Sequence, residues 1–225
     1  MNTSGYAPVN GLSMYYEIHG TGRPLVLMHG GLTTIDLSFG RLLPGLAASR
    51  QAIGVELQGH GHTADTGRPL SLDSLADDIA GLLDLLDIKR ADLFGFSLGG
   101  LVATQLAVTR PERVDRLVLA ASHFHPDGYH DDVRDPAHFQ AFAEKASKTV
   151  GSFTGWSAEE LGSIRAATLI MVGDNDFVRV EHAAAMRQLI PDSQLAVLPD
   201  TTHMQLIQRA ELVMPIIERF LDQGR

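Results

Sequence analysis

The chain has 225 residues, 44% hydrophobic and 20% charged, with a mean hydropathy of +0.03, which suits one soluble globular domain with material for a sizeable core. A formal net charge of −9 and a pI near 5.5 speak against a nucleic-acid partner and against a polybasic membrane-surface mode. With no cysteine, there is no disulfide, thiolate nucleophile or cysteine metal site, and the polar residues 1–6 and the lack of a long apolar run predict a cytoplasmic protein without a membrane span.

In chain order, residues 14–18 read as an antiparallel edge strand. Residues 24–28 read as a parallel strand that ends in the loop signal His29-Gly30-Gly31. Residues 51–56 form the next strand, followed by Gln58-Gly59-His60-Gly61-His62. Ser71 then caps a helix in which Leu72, Leu75, Ile79, Leu82, Leu83 and Leu86 share one face. Residues 91–94 are a strand, 98–109 a helix and 114–120 a strand. The stretch 122–163 has no clear strand and holds Phe124, Tyr129, Phe139, Phe142, Phe153 and Trp156, so it reads as a short helical cap inserted into a core of residues 1–121 and 164–225. Alternation resumes with a strand at 168–172, a helix at 180–190, a strand at 194–198 and a helix at 205–221. Repeated strand–helix units imply a mostly parallel α/β sheet with helices on both faces, and ligands bind such sheets outside the carboxyl ends of the strands.

The chemistry concentrates at those ends. Gly95-Phe96-Ser97-Leu98-Gly99 joins a strand to a helix, which is the setting of a nucleophile elbow. A serine hydroxyl needs a base to take its proton, and a histidine oriented by a carboxylate does this. Asp176 follows the strand after the insertion, with Asp174 as its rival, and His203 follows the last strand. The order Ser97, Asp176, His203 is that of α/β-hydrolases.

On these motifs the chain resembles the α/β-hydrolase superfamily over nearly its whole length, with bacterial serine esterases and enol-lactonase-like hydrolases nearest in pattern. The resemblance implies Ser97 as nucleophile, His203 as general base and Asp176 as its acid. It makes His29-Gly30-Gly31 the oxyanion loop, with the backbone N–H of Leu98 and of Gly31 or Leu32 holding the oxyanion. Two departures stand out. Gln58 occupies a position that carries arginine in the family's Asp-x-Arg-Gly-His-Gly pattern, so the ion pair of that arginine is lost. Thr202 replaces the glycine that commonly precedes the catalytic histidine.

Phe96, Leu32 and Met204 abut these residues and are expected to line a substrate pocket, with Phe124 and Trp156 contributing from the cap. His29, His60 and His62 lack metal-site spacing and read as loop hydrogen bonders. His123, His125, Asp127, His130, Asp131 and Asp132 read as a solvated start to the cap. The expected reaction is hydrolysis of a small ester or lactone through an acyl-enzyme, with no cofactor and no metal. Perhydrolase or haloperoxidase-like chemistry, carbon–carbon bond hydrolysis and slow-turnover ligand reception are the alternatives on the same triad. The aromatics of the cap suggest a homodimer formed through it.

Overall fold

A computed structural model describes residues 2–130 and 153–223. Eight strands form one sheet in the order β1-β2-β4-β3-β5-β6-β7-β8. They are β1 (Thr3–Val9), β2 (Leu12–His19), β3 (Arg23–Met28), β4 (Arg50–Val55), β5 (Ala91–Phe96), β6 (Val114–Ala120), β7 (Ala167–Asn175) and β8 (Ser193–Thr202). Strands β3 to β8 are mutually parallel, while β2 runs antiparallel to both of its neighbours.

The expected edge strand is therefore an inner one, because β1 pairs along its outer side. Val9 pairs with Leu12 across Asn10-Gly11, both at positive φ, which is a two-residue hairpin turn. Pro8 is tolerated in β1 because β1 is the edge of the sheet.

Described helices are α1 (Ile35–Phe39), α2 (Leu43–Ser49), α3 (Leu72–Leu85), α4 (Leu98–Thr109), α5 (Ala158–Gly162), α6 (Val180–Leu189), α7 (Gln205–Gln208) and α8 (Ala210–Leu221). Ser71 caps α3 in a reciprocal capping box with Ser74. The helix expected over 205–221 is two helices, because Arg209 leaves helical geometry at ψ 62°. Its guanidinium instead holds the carbonyls of Pro199 and Asp200.

Alternation along β3 splits the core in two. Val26 and Met28 face α3 and α4 together with Ile79, Leu83 and Val102, whereas Leu25 and Leu27 face Phe39, Leu46, Ile217 and Phe220. Burial on both faces explains why β5 reads as a continuous buried run.

The amino ends of the strands are locked by charge. Arg50, 1% exposed, donates to Asp92 Oδ2 at 2.9 Å and to Asp222 Oδ1 at 2.6 Å, and Arg23 reaches Asp92 Oδ1 at 3.2 Å. Burial raises the Asp92 carboxyl above its ordinary range, against the pull of Arg23, Arg50 and Arg116.

The carboxyl ends are left for function. From β3 the chain builds β4 on one side and β5 on the other, so the order reverses between β3 and β5 and opens a crevice there. Of the stretch expected as a cap, residues 131–152 lie outside the described residues; its described ends hold a turn at Pro126–Gly128 and α5.

Candidate active site

Ser97 sits at φ 51° and ψ −115° between β5 and α4, a left-handed conformation that a side-chain-bearing residue adopts only under constraint. The constraint is close packing: a Cβ on Gly99 would lie 2.0 Å from the Met28 carbonyl oxygen, so α4 presses directly on the end of β3. Leu98 opens α4 and carries one of the N–H groups that the helix itself cannot pair.

The loop after β3 comes against this elbow. A Cβ built on Gly30 would meet the Phe96 ring at 2.9 Å and Ser97 Cβ at 3.4 Å. In the same loop Leu32 has φ 59° and is 47% exposed, so a strained backbone presents an apolar side chain at the mouth of the crevice. Gly31 beside it is buried.

His29 holds this loop to the one after β4. Its Nδ1 donates to the Gly30 carbonyl at 2.7 Å, and its Nε2 accepts from Leu57 N–H at 3.0 Å. Both nitrogens are engaged, and burial lowers its pKa to about 4, which keeps the ring neutral. His60 Nδ1 lies 3.0 Å from the Gln58 carbonyl, and His62 pairs with Glu56 at 2.9 Å. These three rings bond loops and neighbouring side chains, as their spacing suggested.

Gln58 is held by side-chain hydrogen bonds on both sides of its amide. Arg68 donates to the Gln58 side-chain oxygen at 2.6 Å and to both carboxylate oxygens of Asp78 at 2.9 and 2.6 Å. The Gln58 amide donates in turn to Asp65. Gln58 itself makes no ion pair, as expected; the ion pair in this loop is the one between Arg68 and Asp78.

The acid and the histidine are brought together by strand register. Strands β7 and β8 run further than the sequence suggested, and after a shift at Gly173 they pair Asn175 with Thr202. The following residues, Asp176 and His203, are then neighbours. His203 Nδ1 lies 2.7 Å from Asp176 Oδ1, with side chains 9% and 0% exposed. A carboxylate only accepts, so Nδ1 carries the proton and Nε2 keeps a lone pair. Asp176 Oδ1 also accepts from Val178 N–H at 3.1 Å. Asp174 points elsewhere; it accepts from Thr201 N–H at 3.1 Å, and such backbone bonds lower its pKa. Thr202 keeps its place at the end of β8, with its N–H bonded to Gln205.

The His203 ring touches two phenyl rings. Phe96 lies 4.9 Å away at 44°, and Phe177 stacks on it at 4.7 Å and 21° while remaining 44% exposed. Phe177 was not foreseen; its only signal in the sequence is an aromatic directly after Asp176.

The expected pocket residues divide. Phe96 and Met204 belong to the apolar cluster on the α8 side of the sheet. Phe124 and Trp156 belong to the other cluster; Phe124 stacks on His182 at 4.1 Å, and Trp156 donates to Gln105 Oε1 on α4 at 2.8 Å. The solvated start expected for the cap needs correcting at His123, which is 1% exposed beneath the Tyr129 ring at 4.3 Å. Asp131 and Asp132 lie outside the described residues.

A family model described as the alpha/beta hydrolase fold matches residues 23–155. The chain belongs to the α/β-hydrolase family. It is 29% identical to a poly(3-hydroxyalkanoate) depolymerase of Ectopseudomonas oleovorans over 90% of this chain and 85% of that one. It is 42% identical to the dihydrolipoyllysine-residue acetyltransferase component of an acetoin cleaving system of Pseudomonas putida, a match that covers 49% of this chain and only 30% of the longer relative. The fold is shared with the enol-lactonase from Burkholderia xenovorans LB400, at a TM-score of 0.82 and 21% identity over 97% of this chain and 100% of that one.

Proposed function

We propose that this α/β-hydrolase is a serine hydrolase of carboxylic esters or lactones that works through an acyl-enzyme. The observation that carries the reading is the buried His203–Asp176 pair at 2.7 Å, formed at the carboxyl edge of the sheet that also presents Ser97 on a strained elbow. The ester-hydrolysing depolymerase matched over most of both chains supports it.

In this reading Ser97 Oγ attacks the ester carbonyl carbon while its proton passes to His203 Nε2. Asp176 fixes the tautomer and balances the imidazolium that forms. The oxyanion is met by Leu98 N–H and by an N–H of the Gly31-Leu32 segment, aided by the positive end of α4. The tetrahedral intermediate collapses, and the departing alkoxide takes the proton from Nε2. Water then enters with His203 as base and releases the acid and Ser97.

Hydrolysis of p-nitrophenyl acetate and butyrate by the wild type and by Ser97→Ala tests this. Activity that disappears in Ser97→Ala, with stoichiometric labelling of the wild type by a fluorophosphonate, is the expected result. Equal rates in the two proteins would overturn it.

A further inference from the structure

The strongest unexplained feature beside the site is a group of buried polar atoms without partners. Among the described residues, Ser122 Oγ, His123 Nε2 and Asp176 Oδ2 each lack a hydrogen bond. Buried polar groups are nearly always paired, so these three atoms at one edge of the sheet call for a polar partner, a role that a substrate group can fill. Their position follows from topology. β6 lies between β5, which leads into Ser97, and β7, which leads into Asp176, so the residues just after β6 emerge between nucleophile and acid. Ala121 turns the chain there at φ 52°, and His123 follows. The ring is covered by Tyr129 at 4.3 Å and by Phe153 at 5.9 Å, and Tyr129 in turn pairs with Val178, two residues beyond Asp176.

We propose that His123 is a substrate-recognition residue whose Nε2 bonds a free hydroxyl on the ester or lactone. This rests on the serine-hydrolase reading given above.

The chemistry selects the hydroxyl. Burial and the nearby imidazoles of His182, His203 and His125 push the His123 pKa down to about 3, so the ring is neutral at ordinary pH. A neutral imidazole offers a donor at one nitrogen and an acceptor at the other, and a hydroxyl satisfies Nε2 in either tautomer. A carboxylate on the substrate would meet the charge of Asp176; the pKa of the nearby Tyr129 phenol is raised by burial and, secondarily, by that same charge. A substrate with a methyl group in place of the hydroxyl would leave Nε2 unpaired. Sites built to bond a hydroxyl reject analogues that lack it.

The test compares isosteric pairs in which a hydroxyl replaces a methyl group. On the acyl side the pair is p-nitrophenyl 3-hydroxybutyrate against p-nitrophenyl 3-methylbutyrate. On the alcohol side it is 2-hydroxyethyl butyrate against propyl butyrate. We expect kcat/KM to favour the hydroxylated member of one pair on the order of 10- to 100-fold, which also tells which half of the substrate His123 meets. In His123→Leu that ratio should collapse toward one, and His123→Gln should restore part of it. Should the His123 variants fail to fold, calorimetric binding to Ser97→Ala carries the test, with 3-hydroxybutyrate expected to bind more tightly than 3-methylbutyrate, or ethylene glycol monobutyrate more tightly than propyl butyrate. Ser97-dependent hydrolysis with no hydroxyl preference in either pair, or a preference that survives in His123→Leu, overturns the proposal and leaves the hydrolase reading standing. Hydrolysis that does not depend on Ser97 overturns the hydrolase reading itself.

Discussion

Replacing Asp176 with asparagine should slow hydrolysis about a thousandfold. Its carboxylate sits 2.7 Å from His203 Nδ1 with no exposed side-chain surface. In the proposed reaction Nε2 takes the serine proton and the ring becomes a cation. With charge centres about 4 Å apart and an effective dielectric of about 20, the attraction is about 4 kcal/mol. At about 1.4 kcal/mol per tenfold in rate, that is about three orders of magnitude in kcat. Asparagine has nearly the same shape and can still accept from Val178 N–H, so the melting temperature should move little. The assay is p-nitrophenyl butyrate hydrolysis near neutral pH, with thermal unfolding as the control and Asp174→Asn alongside. Asp174 bonds Thr201 N–H and should change the rate far less. A loss under about tenfold in Asp176→Asn with the fold intact, or a larger loss in Asp174→Asn, would refute the reasoning.

Other consequences are open to measurement. Phe177→Ala removes the ring stacked on His203 and should lower kcat/KM about 2- to 30-fold, with Phe177→Tyr near wild type; equal rates in all three would show that the stacking is passive. Gly173→Ala puts a Cβ 1.9 Å from the Thr201 carbonyl, at the register shift that precedes Asp176 and His203. Activity should fall more steeply than helix content by circular dichroism, and parallel losses would deny that register its role. Arg50→Met leaves the buried Asp92 carboxylate with Arg23 as its one remaining cation within 4 Å among the described residues and should cost about 3 kcal/mol in urea denaturation. That loss should shrink as pH falls and Asp92 folds as a neutral acid. For the wild type, the His29 pKa near 4 lies below its ordinary 6.5, so the unfolded chain takes the proton first. Stability should fall by about 3 kcal/mol from His29 as pH drops through that window, and a flat profile between those limits would contradict its buried neutral state.

The parts of this molecule legible in the sequence are those with local periodicity or punctuation. Ser97 stood out because glycines and an elbow context surround it, and the leucine stripe of α3 because a 14-residue helix shows its face clearly. Helices α1 and α2, of 5 and 7 residues, are too short for a 3.6-residue period to show. Strand β1 was hidden by Gly5 and Pro8, although Asn10-Gly11 is a strong hairpin signal. The contact of Phe177 with His203 and the burial of His123 depend on which strands lie side by side, and nothing local encodes that. The register that joins Asp176 to His203 belongs to the same class, since residues 27 apart meet only through a shift between two strands.

The Gln58–Arg68–Asp78 arrangement bears on how this chain can change. Judged position by position, Gln58 looks like a defect that arginine would repair. In this context the repair would set a second guanidinium beside Arg68, against a buried carboxylate already held through both of its oxygens. An arginine at 58 would also lose the acceptor that Gln58 Oε1 offers Arg68, so the effects of changes at 58 and 68 should not add. Asp78, buried and bonded by both Arg68 and Asn10, thus fixes which side chains its neighbours can carry.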